Sequence, residues 1–290
     1  MASLLNFTAR MVAGPWLLAL WVASAGPDEG AAVTPDAVIA EAAPDAAPAQ
    51  APAGSDVPAQ EKKPPTPPHT GLRALGTGLI TDITHLPSVD NMYLALMGGG
   101  LAIAAHPLDP TFNAHLRSHY TLVNDIYAPA KYYGDTPEQV ALSLLTYGYG
   151  RLFDEPKVSH LGMDLIRAQL ITEMMVEPLK FAVGRERPDG SNAQSFPSGH
   201  SAETFAAATV LERHLGWKHA AVAYAIAAYV ASSRLHDNVH YLSDVAFGAA
   251  VGTIAGRTVT EHGANEWSIV PAGAPGGGLA VAFVKTTHTN

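Results

Sequence analysis

The chain has 290 residues, with 17 basic and 26 acidic side chains, a formal charge of −9 and no cysteine. Without cysteine there is no disulfide framework, thiolate metal site, iron–sulfur cluster or thiol nucleophile. The net acidity argues against a protein that coats nucleic acid. Hydrophobic residues make up 48% and charged ones 15%, ample material for a buried core.

The charge is unevenly spread: +1 over residues 1–25, −5 over 26–70 and −5 over 71–290. Residues 1–25 read as a secretory signal peptide. Arg10 supplies the basic end, Met11 to Val22 an apolar run, and Ala23-Ser24-Ala25 a small-x-small cleavage site. The run is about 12 residues, short for a membrane anchor, so export to a periplasm or cell envelope is expected. Residues 26–70 read as an Ala/Pro-rich disordered linker. Alanine and proline fill 22 of its 45 positions and aromatics are absent, so nothing there can nucleate a core.

Residues 71–265 read as one helical domain. Apolar segments dominated by helix-favouring residues recur at Met92–Ala105, Val140–Gly150, His160–Phe181, Thr204–Leu215, Ala220–Ser233 and Val245–Gly256. Asp164, Arg167, Glu173 and Glu177 interrupt the third as a charged stripe. The longest uncharged stretch, Asn91–Ala105, falls short of the roughly 20 residues a span needs, which favours a non-spanning or membrane-peripheral bundle. In residues 266–290, Trp267–Val270 and Leu279–Lys285 flank a Gly/Pro-rich segment and suggest a small hairpin.

Three clusters between residues 180 and 244 carry chemistry. In Lys180-Phe-Ala-Val-Gly-Arg-Glu-Arg187-Pro188, the two outer cations are seven apart, two helical turns, with Pro188 ending the helix. With Arg234 they make three cations at apolar helix ends, which call for a shared anion: a ligand, or carboxylates such as Glu177 and Glu186. In Pro197-Ser198-Gly199-His200, a helix entry at Ser201 would offer amide donors and a hydroxyl to an oxyanion; an ordinary turn with a surface histidine is the plainer alternative. His240 and Asp244 are four apart, so on a helix the carboxylate reaches the imidazole and sets its tautomer. His200 would then be a second imidazole, and the two can divide nucleophilic attack from protonation of a leaving oxygen. The i,i+4 pairs His236/His240 and His115/His119 raise a zinc alternative, but no glutamate follows the first histidine, and the arginines nearby repel a metal. No metal ligand is therefore assigned.

The order Lys-x6-Arg-Pro, Pro-Ser-Gly-His, Ser-Arg-x5-His-x3-Asp resembles the signature of the type 2 phosphatidic acid phosphatase / vanadium haloperoxidase superfamily, across residues 180–244. The resemblance implies an all-α bundle with the site at one end. It implies phosphate binding by Lys180, Arg187, Arg234, Ser198 and the Gly199 amide, with His240 as nucleophile, Asp244 orienting it, and His200 as acid and then base. It requires no cofactor, and vanadate is a phosphate mimic. Asn238 stands where the superfamily often has glycine, a residue type that tolerates left-handed backbone, and Asp237 adds an acid near the site. The expected protein is an exported, metal-independent phosphatase acting on lipid or soluble phosphomonoesters through a phosphohistidine. An integral-membrane lipid phosphate phosphatase is the alternative, and a haloperoxidase or a non-catalytic phosphate-binding protein are remoter ones. A membrane surface is an expected partner; nucleic acid is not.

Overall fold

The computed structural model describes residues 71–118, 120–260 and two strands, Glu266–Gly273 and Leu279–Thr286. The leader and linker expected over residues 1–70 lie outside the described residues. Five long helices make the body: α2 (Val89–Ala105), α6 (Thr136–Leu152), α7 (Pro156–Val183), α8 (Gly199–Leu215) and α10 (Leu242–Thr260), joined on one side by α9 (Trp217–His236). Shorter elements frame them: α1 (Leu72–His85), a 3-10 turn (His106–Leu108), α3 (Asp109–Leu116), α4 (Thr121–Tyr127) and α5 (Ala130–Tyr133). The fold is all-α, with β1 (Glu266–Gly273) and β2 (Leu279–Thr286) forming one antiparallel hairpin in which Gly273 faces Leu279.

Helix ends follow local chemistry. Pro156 opens α7 from its first turn, where a missing N–H costs nothing. The same helix stops at Val183, because Gly184 adopts a left-handed φ of 57° and returns its N–H to the Lys180 carbonyl. The end expected at Pro188 is thus four residues too late, and Arg187 lies in a loop rather than on the Lys180 face of a helix. Ser198 caps α8, accepting from Ser201 N–H at 3.5 Å, so that helix starts two residues earlier than the spacing suggested.

The core is built by α7, α8 and α10: Leu161, Leu165 and Ile171 meet Ala206, Val210, Ala255 and Val259. Close approach of α8 and α10 depends on glycines at every fourth position of α10. A methyl on Gly252 would stand 1.9 Å from the Ala202 carbonyl oxygen, and one on Gly248 would stand 2.5 Å from that of Ser198. Of the charged stripe on α7, Asp164 and Arg167 face inward, whereas Glu177 is exposed. Arg167 binds the fully buried Asp82 of α1 at 2.9 Å, Asp164 at 2.6 Å and the Val259 carbonyl at 2.8 Å, while His214 reaches Asp164 at 2.8 Å. Among the described residues, no helix is long and apolar enough to cross a membrane.

Candidate active site

The site lies where the C-terminal end of α7, the N-terminus of α8, the end of α9 and the turn into α10 converge. Lys180 sits in the last turn of α7, its Nζ 3.3 Å from where a Gly199 side chain would begin. This approach brings the ammonium against the first turn of α8, where a side chain at position 199 would crowd it. Arg234 sits in the last turn of α9 and is buried, with Nε 3.2 Å from the Ser233 hydroxyl and a terminal nitrogen 2.7 Å from Asp237. The Arg187 Nε is buried without a protein partner. Burial pushes Arg234 below its usual basicity, and the Arg187 charge adds to this, while Asp237 and Asp135 oppose it. The two guanidiniums therefore share one electrostatic neighbourhood.

The carboxylate alternative for the cations holds in part. Lys180 pairs with Glu177 at 2.7 Å, but Glu177 is half exposed, so the pair is a loose surface one. Asp237, not Glu186, is the acid on Arg234. The unpartnered Arg187 Nε and the buried Ser198 at the mouth of α8 suit a tetrahedral oxyanion. Ser198 Oγ accepts from Ser201, so its own proton is left to donate.

His240 is 3% exposed and lies in the turn before α10, not on a helix. Its Nδ1 is 2.6 Å from the Ser195 carbonyl oxygen and 3.8 Å from Asp244. A carbonyl can only accept, so Nδ1 carries the hydrogen and Nε2 of the neutral ring keeps its lone pair. The helical i,i+4 argument for an Asp244–His240 hydrogen bond therefore needs correction. Asp244 gives its oxygens to Arg185 at 2.5 Å, to the Ser195 hydroxyl and to the Tyr241 N–H at 2.8 Å, and acts on His240 mainly as a nearby charge. Burial pushes His240 below its ordinary pKa, against the opposing pull of Asp244.

His200, in the first turn of α8, has Nε2 3.6 Å from Asp135, the residue capping α6. Its pKa is lowered to about 3, first by burial, then by the charges of Arg234, His240 and Lys180. In the absence of an anion, both imidazoles are neutral at pH 7.

The helical i,i+4 spacing behind the His236/His240 zinc alternative does not hold, because His240 lies beyond the end of α9. His236 ends α9, stacks on Tyr127 at 4.5 Å and turns Nδ1 to Asp237 at 3.2 Å, while His240 faces Ser195. Asn238 between them has φ 58°, the left-handed turn that asparagine was expected to permit. Asn113 of α3 braces the turn, donating to the His240 carbonyl at 2.8 Å.

Sequence reasoning missed Arg185, Asp109, Ser195, Ser243, Asn113 and Asp135. Arg185 and Ser195 lie inside the motif region, between the positions given roles. Asp109 sits 76 residues from Arg185, and the buried pairing between them leaves no local spacing signal.

Residues 161–266 match the family model described as the PAP2 superfamily. This part of the chain is similar to that superfamily. Its match begins in α7 and takes in every site element from Lys180 to Asp244. Over 128 residues, 42% of its length, this chain is 38% identical to the lipid A 1-phosphatase of Porphyromonas gingivalis. The chain spans about a quarter of that relative's length, 27%. Among solved structures it is similar to Aquifex aeolicus LpxE, with 24% identity and a TM-score of 0.45 over 53% of this chain and 95% of that one. It is also similar to a transmembrane PAP2 type phosphatidylglycerolphosphate phosphatase from Bacillus subtilis, with 17% identity and a TM-score of 0.44 over 66% of this chain and 94% of that one.

Proposed function

We propose that this protein is a phosphomonoester hydrolase of the PAP2 type that acts on a lipid-borne phosphate through a phosphohistidine. The observation that carries the reading is the shared environment of Lys180, Arg187 and Arg234 around two neutral imidazoles, one of which, His240, is held with Nε2 unprotonated. A phosphate dianion brought between these cations offsets their mutual repulsion. As charge develops on the equatorial oxygens in the transition state, the cations and the α8 N-terminus stabilise it. His240 Nε2 attacks phosphorus, the ester oxygen leaves with a proton from His200, and His200 then takes a proton from the water that opens the phosphohistidine. Asp244, 3.8 Å from His240, stabilises the positive charge the ring gains.

A lipid substrate is favoured over a soluble ester by exposed apolar side chains and by the relative whose name states lipid A 1-phosphatase. Phe181, next to Lys180, is 92% exposed, and Met92, Leu96, Met97, Leu101 and Ile103 leave an apolar face of α2 uncovered. Such a face suits acyl chains or a membrane surface in a cell envelope.

The test is a substrate panel in mixed micelles: lipid A, phosphatidate and an isoprenyl phosphate against p-nitrophenyl phosphate. Higher kcat/KM on the lipids, and loss of all turnover in His240→Ala, are expected. A preference for the soluble ester overturns the lipid assignment, and full activity in His240→Ala overturns the mechanism.

A further inference from the structure

Asp244 and Ser195, the two groups beside Nδ1 of His240, are both tied to Arg185. Its Nη1 lies 2.5 Å from Asp244 Oδ1 and 2.7 Å from the Ser243 hydroxyl. Its Nη2 lies 2.7 Å from Asp109 Oδ2 and 3.3 Å from His106 Nδ1, and the guanidinium covers the Tyr241 ring at 4.1 Å. Its main-chain carbonyl accepts the Ser195 N–H at 2.9 Å. Ser195 in turn donates its hydroxyl to Asp244 and offers its carbonyl to His240.

We propose that Arg185, anchored by Asp109, is a positioning residue for the nucleophile: it fixes Asp244 and Ser195 so that the Ser195 carbonyl, not the Asp244 carboxylate, receives the Nδ1 hydrogen of His240. This rests on the reading of His240 as the phosphoryl acceptor. Two buried carboxylates, Asp109 at 2% and Asp244 at 0% exposure, face one guanidinium. A planar fork serves both at once in a fixed geometry, which a lysine ammonium matches only in part. Asp109 is itself held in place: its oxygens accept the Ser243 N–H at 2.9 Å and the Ser243 hydroxyl at 2.6 Å. Burial alone would raise the Asp109 pKa, but the bonds from Ser243 and Arg185 outweigh it and keep the carboxyl below its usual range.

Without the fork, Asp244 is free to close the 3.8 Å gap and compete for Nδ1–H. A carboxylate in direct contact favours the imidazolium, and an imidazolium has no lone pair with which to attack. The other charged groups around His240 are Arg187 from the α7–α8 loop, His200 from α8 and Arg234 from α9. Arg185 bonds to none of these. Its partners on the far side are Asp109 and His106.

The experiment compares wild type, Arg185→Ala, Arg185→Lys, Asp109→Asn and His240→Ala on p-nitrophenyl phosphate and phosphatidate, from pH 4 to 9. Arg185→Ala is expected to lower kcat by at least about tenfold, short of the roughly 10⁴-fold that a wrong tautomer can cost. KM should change little, and the acidic limb of kcat/KM should move to higher pH. Arg185→Lys should recover part of kcat. Asp109→Asn should move the limb the same way by a smaller amount, and it carries the test if Arg185→Ala does not fold. An unchanged kcat in Arg185→Ala, or an unmoved limb in both Arg185→Ala and Asp109→Asn, overturns the proposal. If His240→Ala keeps its turnover, the phosphohistidine reading itself fails. If His240→Ala is inactive while Arg185→Ala behaves as wild type, only the positioning role fails.

Discussion

Gly252 of α10 packs directly on the Ala202 carbonyl of α8, leaving no room for even one methyl group. The contact sits on the same helix pair that presents Ser198 and Asp244, whose main chains are joined by a 3.1 Å hydrogen bond. Gly252→Val is expected to cost about 3 kcal/mol or more, because the atom to be displaced is backbone rather than a flexible side chain. Chemical denaturation would measure the loss. A change under 1 kcal/mol would mean the helices can move apart freely.

A buried acid pair gives a prediction for alkaline pH. Glu203, one turn after His200 and 1% exposed, shares the Thr136 hydroxyl with Glu173. Burial and the Glu173 carboxylate push the Glu203 pKa up to about 10, so it is protonated in the folded state at neutral pH. Between the unfolded value near 4.3 and that value, only the folded chain holds this proton, so stability falls as pH rises, by about 1.4 kcal/mol per unit. Glu203→Gln removes this slope. The variant should melt at a higher temperature than wild type at pH 8 and show a flatter Tm–pH curve from 5 to 9; parallel curves would contradict this.

His200 supplies the complementary case at the site. Burial and neighbouring cations hold its pKa to about 3. A bound anion cancels the cationic part of that depression, so His200 takes up a proton as the ligand arrives. Calorimetry of vanadate binding in buffers of different ionisation enthalpy, from pH 5.5 to 7, should show proton uptake that is lost in His200→Gln. The kcat profile should be bell-shaped, since protonated His200 and neutral His240 are needed together. Equal uptake by wild type and variant would assign the proton elsewhere.

Near the middle of α7, about 20 Å from Lys180 by helical rise, Arg167 holds Asp82 and Asp164. Removing a cation from buried carboxylates typically costs about 3–5 kcal/mol. Arg167→Ala should therefore lower the Tm sharply while leaving KM unchanged in protein that remains folded. A raised KM would show that the Arg167 cluster and the site are coupled.

The legible part of this protein was what repeats locally. Helical segments were readable from apolar runs, the hairpin from its Gly/Pro-rich middle, and the residues from Lys180 to Asp244 from their order. Helical spacing misled where the chain had already left the helix: Gly184 ends α7 before Arg187, and His240 precedes α10. The inward turn of Arg167 and the Asp109–Arg185 pair were illegible for another reason. A buried charge and a surface charge look alike in sequence until a distant partner is known, and Asp82 and Asp109 lie 85 and 76 residues from theirs.

The bond from His240 to Ser195 is made to main chain. Every residue type carries that carbonyl, so changing position 195 to alanine deletes a hydroxyl but leaves the acceptor of the ring hydrogen intact. Alanine scanning would therefore pass over the atom nearest the His240 Nδ1. Its importance would surface only indirectly, through residues that steer the 185–195 segment, or through replacing the peptide bond itself by an ester and shifting the electron density of its oxygen.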